Sequence, residues 1–260
     1  LLAVEDGPLL EWASSEGASP HEAQIAALHQ EIVPSRYLRN FEAISFSEQI
    51  RLCESRVLVC GCGGLGGVII QLLARAGVGF LRLVDPDVFV TSNLNRQWMS
   101  DITVIGMAKA EVATQRVRSI NPFVEVEART CSLDERNAPR LLQNMHLALD
   151  ALDNLAARFT LAEGARNLRI PFIHGAVAGW WGQISTFPPL SEHSLEAVYG
   201  KRRTRDPAEE AMGVLGPAAS VIGSLQAMEA VRVLTGRQPA YAGHLLFFDG
   251  ETGLFNMLPL

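Results

Sequence analysis

The stretch VLVCGCGGLGG (57–67) decides how this chain is read. Val57 to Cys60 form a short apolar run of the kind buried on both faces of a parallel sheet. Glycines then cluster at 61, 63, 64, 66 and 67, and an apolar helical pattern runs on to Ala76. A strand that enters a helix through such a turn brings backbone N–H groups and the positive helix end close to a phosphate. The next strand-like run, Phe80–Val84, ends at Asp85, roughly 20 residues beyond the glycines, where a carboxylate accepts from ribose hydroxyls. Gly61, Gly63, Gly64, Gly66 and Asp85 are therefore candidate nucleotide-binding residues. Dinucleotide dehydrogenases share this fingerprint, so the glycine loop alone leaves the nucleotide open.

On either side the pattern alternates. Helices are predicted over 107–119, 134–144 and 154–168, and strands near 123–128, 146–150 and 171–175. This βαβ order predicts an α/β fold, a doubly wound, Rossmann-like and mainly parallel sheet. After Trp181 the character changes. A long polar connection at 188–213 leads to an apolar helix (215–234) and two closing strands (244–248 and 254–258), expected as antiparallel additions. Residues 1–34 read as a helical extension ahead of a main domain over 35–260. In the extension Ser19, Pro20 and Glu22 form a capping box and first turn. Ile25, Leu28 and Ile32 follow at helical spacing until Pro34 stops the run.

Composition sets limits. The chain has 260 residues, 48% of them hydrophobic and 19% charged, enough apolar material for a real core and too much for general disorder. No run approaches the roughly 20 apolar residues of a membrane span. The net charge of −6 argues against a nucleic-acid partner. Of the 22 basic residues only Lys109 and Lys201 are lysines. The four cysteines (Cys53, Cys60, Cys62, Cys131) contain no Cys-x-x-Cys pair, so no zinc is expected. Free thiols and the lack of a visible signal peptide point to the cytoplasm.

A polar constellation separates the chain from the dehydrogenases. Asp87 follows Asp85, and Asn93 and Arg96 lie in SNLNRQ (92–97). Lys109 stands near a helix start, Asp150 and Asp153 close a strand at the ligand-binding edge, and Arg36 and Arg39 precede the first main strand. Cations around a triphosphate and a carboxylate for Mg²⁺ are what nucleotidyl transfer requires. Asn154 and Arg158 are suited to orienting the Asp153 loop or capping the next helix. Trp180 and Trp181 read as core and sheet-face residues. The basic run 201–205 is either a solvated loop or a docking patch for an acidic partner.

In order along the chain, RYLRN (36–40), VLVCGCGGLGG, AGVGFLRLVDPDVF (76–89), SNLNRQ, INP (120–122), LDALDN (149–154), IPFIHGAVAGWWGQIS (170–185), GVLGPAASVIGSLQAMEAVRVLTG (213–236) and LLFFDGETG (245–253) resemble one family. It comprises the molybdopterin-synthase and thiamine sulfur-carrier adenylyltransferases, related to ubiquitin-activating enzymes. The resemblance implies ATP and Mg²⁺ as cofactors and adenylation of the C-terminal glycine carboxylate of a ubiquitin-like sulfur carrier ending in Gly-Gly. A separate protein would donate the sulfur. It implies that Gly61, Gly63, Gly64 and Gly66 carry the ATP phosphates and that Asp85 takes the ribose, with Asp87 also among the nucleotide-binding residues. Asn93, Arg96 and Lys109 would hold the phosphates, and Asp153 the magnesium. Arg39 would act from the other subunit of a homodimer, so the catalytic set is Arg96, Lys109, Asp153 and Arg39. The chain departs from many relatives in lacking zinc-binding cysteine pairs and a crossover cysteine, and in having Asn40 where glutamine is usual. Two other readings stand beside this one: the same chemistry on another target (a tRNA-modifying dehydratase or a peptide), and a non-catalytic nucleotide-binding scaffold.

Overall fold

The computed structural model describes residues 1–201, 204 and 211–260. The chain opens with β1 (Leu2–Val4), α1 (Asp6–Glu16), α2 (Pro20–His29) and β2 (Ile32–Pro34), and the two strands pair in parallel. The capping box forms as predicted: Ser19 Oγ accepts from the Glu22 N–H at 3.1 Å, and the Glu22 carboxylate accepts from the Ser19 N–H at 2.7 Å. The helix nevertheless stops at His29 rather than reaching Ile32. Glu31 takes a left-handed φ of 57°, and Ile32 pairs with Leu2 instead. Strand pairing overrides the helical spacing.

The extension is tied closely to the main domain. Phe123 packs among Leu9, Ala13, Ala23 and Ala27. Gln24 Nε2 donates to the Phe123 carbonyl at 3.0 Å, and the Tyr37 hydroxyl donates to Gln24 Oε1 at 2.8 Å. Asn121 Nδ2 donates to that same hydroxyl at 2.8 Å and to the Ala74 carbonyl at 2.8 Å. The asparagine of INP thus links Tyr37, and through it Gln24 of the extension, to the backbone at Ala74, with its polar groups paired as burial demands.

The main body begins with α3 (Phe46–Glu54), β3 (Arg56–Cys60), α4 (Gly64–Ala76), β4 (Phe80–Val84), α5 (Lys109–Ile120) and β5 (Glu125–Arg129). It continues with α6 (Ala138–Leu142), β6 (Leu147–Asp150), α7 (Leu155–Asn167), β7 (Phe172–Ala178), β8 (Trp181–Phe187) and α8 (Leu195–Tyr199). Then come α9 (Gly216–Leu234), β9 (His244–Asp249) and β10 (Leu254–Pro259). One sheet has the order β10-β9-β8-β7-β6-β3-β4-β5. The strands from β7 to β5 in this order are parallel, and β8, β9 and β10 are added antiparallel. The expected doubly wound α/β fold is present, antiparallel closing strands included.

The apolar run of β3 explains its central place. Val57 and Val59 face a cluster with Ile69 and Leu73 of α4 and Ile222 of α9. Leu58 and Cys60 face the opposite cluster, with Leu142, Phe159 and Phe172. Both faces are covered from Val57 to Cys60, and all four residues are apolar. From β3 the chain steps outward to β4 and β5, then returns to lay β6 on the other side of β3. The carboxyl ends of β3 and β6 flank the topological switch point, where such folds hold ligands.

Three elements differ from the sequence expectation. α6 spans only Ala138–Leu142, because Asp134 Oδ1 accepts from the N–H groups of Arg136 and Asn137 and holds that stretch as a turn. β8 lies where no strand is predicted. α8 lies inside the 188–213 connection, started by Ser194, whose Oγ accepts from the Glu196 N–H at 3.3 Å. Of the basic run, Lys201 is exposed, while Arg202, Arg203 and Arg205 lie outside the described residues. No described helix is long and apolar enough to cross a membrane.

Candidate active site

A cleft of about 850 Å³ opens at the switch point, a volume that suits a nucleotide-sized ligand. Its floor is the glycine loop. Gly61 has φ 97°, and a Cβ there would stand 2.3 Å from the Ala151 carbonyl oxygen. A Cβ on Gly66 would stand 1.8 Å from the Gly61 carbonyl oxygen. These two glycines therefore close the loop on itself and on its neighbour, with Gly66 buried beneath it. Gly63 and Gly64 face the cleft at the start of α4, which has no side-chain cap. The first-turn N–H groups of that helix lack intrahelical partners and are available to an anion.

Asp85 staples this loop to the end of β4. Its Oδ2 accepts from the Cys62 N–H at 2.7 Å, and its Oδ1 accepts from the Asp87 N–H at 2.9 Å. Burial pushes its carboxyl group above the ordinary carboxylate pKa, an effect the two N–H groups oppose. Each carboxylate oxygen keeps a further lone pair for a ligand hydroxyl. Cys60 and Cys62 are fully buried beside the turn, and burial raises both thiols, so neither is a ready nucleophile.

The cations stand on the other wall. Lys109 is the first residue of α5 and only 7% exposed. A cation at a helix N-terminus opposes the helix dipole. Here the charge is held by Asp87, whose Oδ2 lies 3.0 Å from Lys109 Nζ and whose carbonyl accepts from the Lys109 N–H at 2.9 Å. Arg96 is pinned to its own turn through Nη1, which donates to the Ser92 carbonyl at 3.0 Å and to Asn95 Oδ1 at 2.9 Å. Its Nε and Nη2 have no hydrogen-bond partner among the described residues. Asn93, by contrast, is buried off the cleft, where its Oδ1 accepts from the Val90 N–H at 3.1 Å and shapes that turn.

Asp153 closes the third side. It is exposed, lines the cleft, and makes no hydrogen bond or ion pair among the described residues. The following residue, Asn154, caps α7, its Oδ1 accepting from the Ala157 N–H at 2.8 Å. Arg39 is exposed and does not line the cleft of its own chain. Arg36 faces the extension: it pairs with Asp6 and donates to the Ile120 carbonyl at 2.9 Å. The structure thus gathers Gly61, Gly63, Gly64, Asp85, Asp87, Arg96, Lys109 and Asp153 around one cleft, and leaves Gly66, Asn93 and Arg39 outside it.

Two contributors are missing from the sequence reading. Gln97 lines the cleft, 6% exposed, with an Oε1 that has no partner among the described residues. Residues 131–136, after β5, form another wall. Both follow from position alone, the one next to Arg96 and the other at the carboxyl end of a third parallel strand. Trp180 is 53% exposed at the β7–β8 turn, so it is not a core residue. The left-handed Gly179 beside it, φ 56°, turns the chain there and swings the indole outward.

Fold and cleft together define a class: a doubly wound α/β domain in which a glycine loop and a cation-lined wall meet at the switch point of the sheet. The ThiF family model matches residues 35–260, and the chain belongs to that family. It is 36% identical over 227 residues to the molybdopterin-synthase adenylyltransferase of Escherichia coli (strain K12), covering 86% of this chain and 89% of that one. It is also 36% identical over 217 residues to the sulfur carrier protein adenylyltransferase of Thermus thermophilus, covering 81% and 80%. Identity to the Drosophila yakuba adenylyltransferase and sulfurtransferase MOCS3 is 34% over 229 residues, 85% of this chain. The chain spans only 50% of the length of that relative. Among solved structures, E. coli MccB with ATP matches with a TM-score of 0.76 at 17% identity, covering 86% of this chain and 71% of that one. PaaA matches with a TM-score of 0.70 at 20% identity, covering 92% and 72%. These two likenesses concern the fold.

Proposed function

We propose that the chain is an ATP-dependent adenylyltransferase that activates the C-terminal glycine carboxylate of a small ubiquitin-like sulfur carrier ending in Gly-Gly. The observation that carries this reading is the meeting of the glycine loop, Arg96, Lys109 and Asp153 in one cleft. A carboxylate oxygen of the carrier attacks the α-phosphorus of ATP. The bond from that phosphorus to the oxygen bridging the β-phosphate breaks, and pyrophosphate leaves with the electron pair. Negative charge grows on the phosphate oxygens during the step, and Arg96 and Lys109 stand preorganised against it. Each such donor is worth about 3–4 kcal/mol. The α4 N-terminus holds the phosphates, and Asp85 takes the ribose.

Asp153 suits a magnesium ion, which takes one or two carboxylates and completes its shell with water and phosphate oxygens. Its carboxylate is exposed to the cleft and has no competing partner among the described residues. The bound ion would neutralise phosphate charge. The acyl-adenylate is then sulfurated by a separate donor protein. The relatives named as molybdopterin-synthase and sulfur carrier protein adenylyltransferases favour molybdopterin or thiamine synthesis as the setting. Use of ATP and four free cysteines fits residence in the cytoplasm.

The exposure of Arg39 fits a homodimer in which this residue serves the partner's cleft. A second reading, adenylation of a peptide, has the fold likeness to MccB, solved with MccA, in its favour. It rests on 17% identity, against 36% for the sulfur-carrier relatives.

In carrier-dependent ATP–pyrophosphate exchange, Asp153→Ala should lower the rate at least on the order of 100-fold with the melting temperature unchanged. Undiminished exchange removes its assigned role. Mixing Asp153→Ala with Arg39→Ala protomers should restore part of the activity. No rescue in verified mixed dimers would place the site within one chain.

A further inference from the structure

A buried polar cluster beneath the Asp153 loop has no part in the steps above. Asp150 and His174 are fully buried, Arg158 is 3% exposed and Tyr199 is 9% exposed. They come from β6, β7, α7 and the end of α8. Asp150 Oδ2 lies 2.7 Å from His174 Nδ1 and 3.7 Å from Arg158 Nη1. The Tyr199 hydroxyl lies 3.0 Å from His174 Nε2, 3.3 Å from Arg158 Nη1 and 2.8 Å from Gln183 Nε2.

A neutral His174 satisfies the groups around it, with Gln183 Nε2 also 3.3 Å from His174 Nε2. Asp150 is an acceptor, so His174 donates from Nδ1 and its Nε2 carries a lone pair. The Tyr199 hydroxyl, the nearer donor at 3.0 Å, faces that lone pair, and the tyrosine oxygen accepts from Arg158 and Gln183. Burial favours the same neutral imidazole, more strongly than Asp150 favours the charged one.

The output of this cluster is Leu152. Its N–H donates to Asp150 Oδ1 at 3.0 Å, and its carbonyl accepts from Arg158 Nη2. The peptide groups on both sides of Leu152 are therefore clamped by side chains of the cluster, and the next residue is Asp153. The Asp150 carbonyl is held in turn by Gln226 Nε2 of α9 at 2.8 Å. Burying Asp150 with Arg158 costs more than an apolar pair of similar volume would. A cluster that fixes one loop gives that cost a purpose. Tyr199 and Asp153 also line a second cavity of about 340 Å³ that adjoins the cleft, so the cluster sits at a junction rather than in the general core.

We propose that Tyr199 is a positioning residue: through His174 and Arg158 it fixes the backbone that carries Asp153, so that seating of α8 and the reactive geometry of the cleft form a single state. The inference rests on the adenylyltransferase reading for its catalytic consequence, and on the geometry alone for the loop.

Tyr199→Phe tests it. The ring keeps its edge contacts with Phe159 and His174, and only the hydroxyl is lost. The turnover number for carrier-dependent pyrophosphate exchange should fall on the order of 10-fold, the scale at which losing an orienting partner is felt. KM for ATP should stay within a factor of about two, since Asp85 and the backbone hydrogen bonds of the glycine turn hold the phosphate-binding loop without Tyr199. Amide hydrogen exchange at 151–154 should quicken while that of β3 and β4 stays as in the wild type. If Tyr199→Phe folds poorly, His174→Asn carries the same test, because Asn keeps a donor for Asp150 but does not reach Tyr199. Unchanged exchange at 151–154 in the folded variant overturns the proposal, whatever the activity. That measurement needs no substrate, so it decides the matter even if no carrier supports turnover and the functional reading fails.

Discussion

Two loops meet over the centre of the sheet, and they are held in opposite ways. The loop after β3 is shaped by what its residues lack. Gly61 and Gly66 let the backbone pass where any Cβ would strike a carbonyl, and Asp85 fastens the turn through two backbone N–H groups. The loop after β6 is shaped by side chains brought from elsewhere: Asp150, His174, Arg158 and Tyr199. The first needs only its glycines, Asp85 and the backbone of Ala151 beside it. The second depends on β7, α7 and α8 all being in place. In an enzyme of the proposed kind, the phosphate-binding half is ready before the carrier arrives, and the carboxylate half answers to the seating of α8 in the 188–213 connection.

The largest expected effect lies in the first loop. Gly61→Ala should cost about 2–4 kcal/mol in urea unfolding, from the left-handed backbone and the contact with the Ala151 carbonyl together. It should also abolish ATP binding. A loss under about 0.5 kcal/mol would mean that the two loops do not close on each other.

A smaller effect distinguishes the second loop by its pH dependence. Burial holds His174 below its ordinary pKa, with the Asp150 contact opposing and the Arg158 charge assisting. Its stabilising contribution is complete above pH ~6.5 and declines as pH falls toward the depressed folded value, because only the unfolded chain takes up the proton. The slope in that window reaches at most about 1.4 kcal/mol per pH unit. His174→Asn should flatten it. Parallel stability profiles for variant and wild type would show that the imidazole is not buried in its neutral form.

The smallest effect concerns the cap. Asn154→Ala should cost about 1 kcal/mol in urea unfolding. It should leave pyrophosphate exchange closer to wild type than Tyr199→Phe does, since the cap steadies α7 and not the Leu152 peptide groups.

The same contrast explains what could be read from the amino acids. β3, the glycine turn, α4 and β4 announce themselves because glycine placement and apolar runs act over a few residues. Lys109, one of only two lysines, stands out for the same reason, and in the structure it is a near-buried cation held by Asp87. Asn93 is harder to assign: a polar residue in a polar motif gives no sign that its amide is used up on the Val90 N–H. Ile32 is assigned to a helix because spacing is local, while its partner Leu2 lies at the far end of the extension. β8 has a glycine and several polar residues and becomes a strand only because β7 and β9 lie on either side of it. The cluster under Asp153 is the extreme case. Asp150, His174 and Tyr199 are about 25 residues apart in succession; the parallel pairing of β6 and β7 brings the first two together, and the seating of α8 brings the third.

The decisive measurement is exchange of labelled pyrophosphate into ATP by the purified wild-type chain, with a candidate sulfur carrier ending in Gly-Gly and with the same carrier lacking its last two residues. Label should enter ATP only with the intact carrier and only when magnesium is supplied. Exchange that proceeds equally with the truncated carrier, or fails with every intact carrier tried, would contradict adenylation of a carrier carboxylate at this cleft.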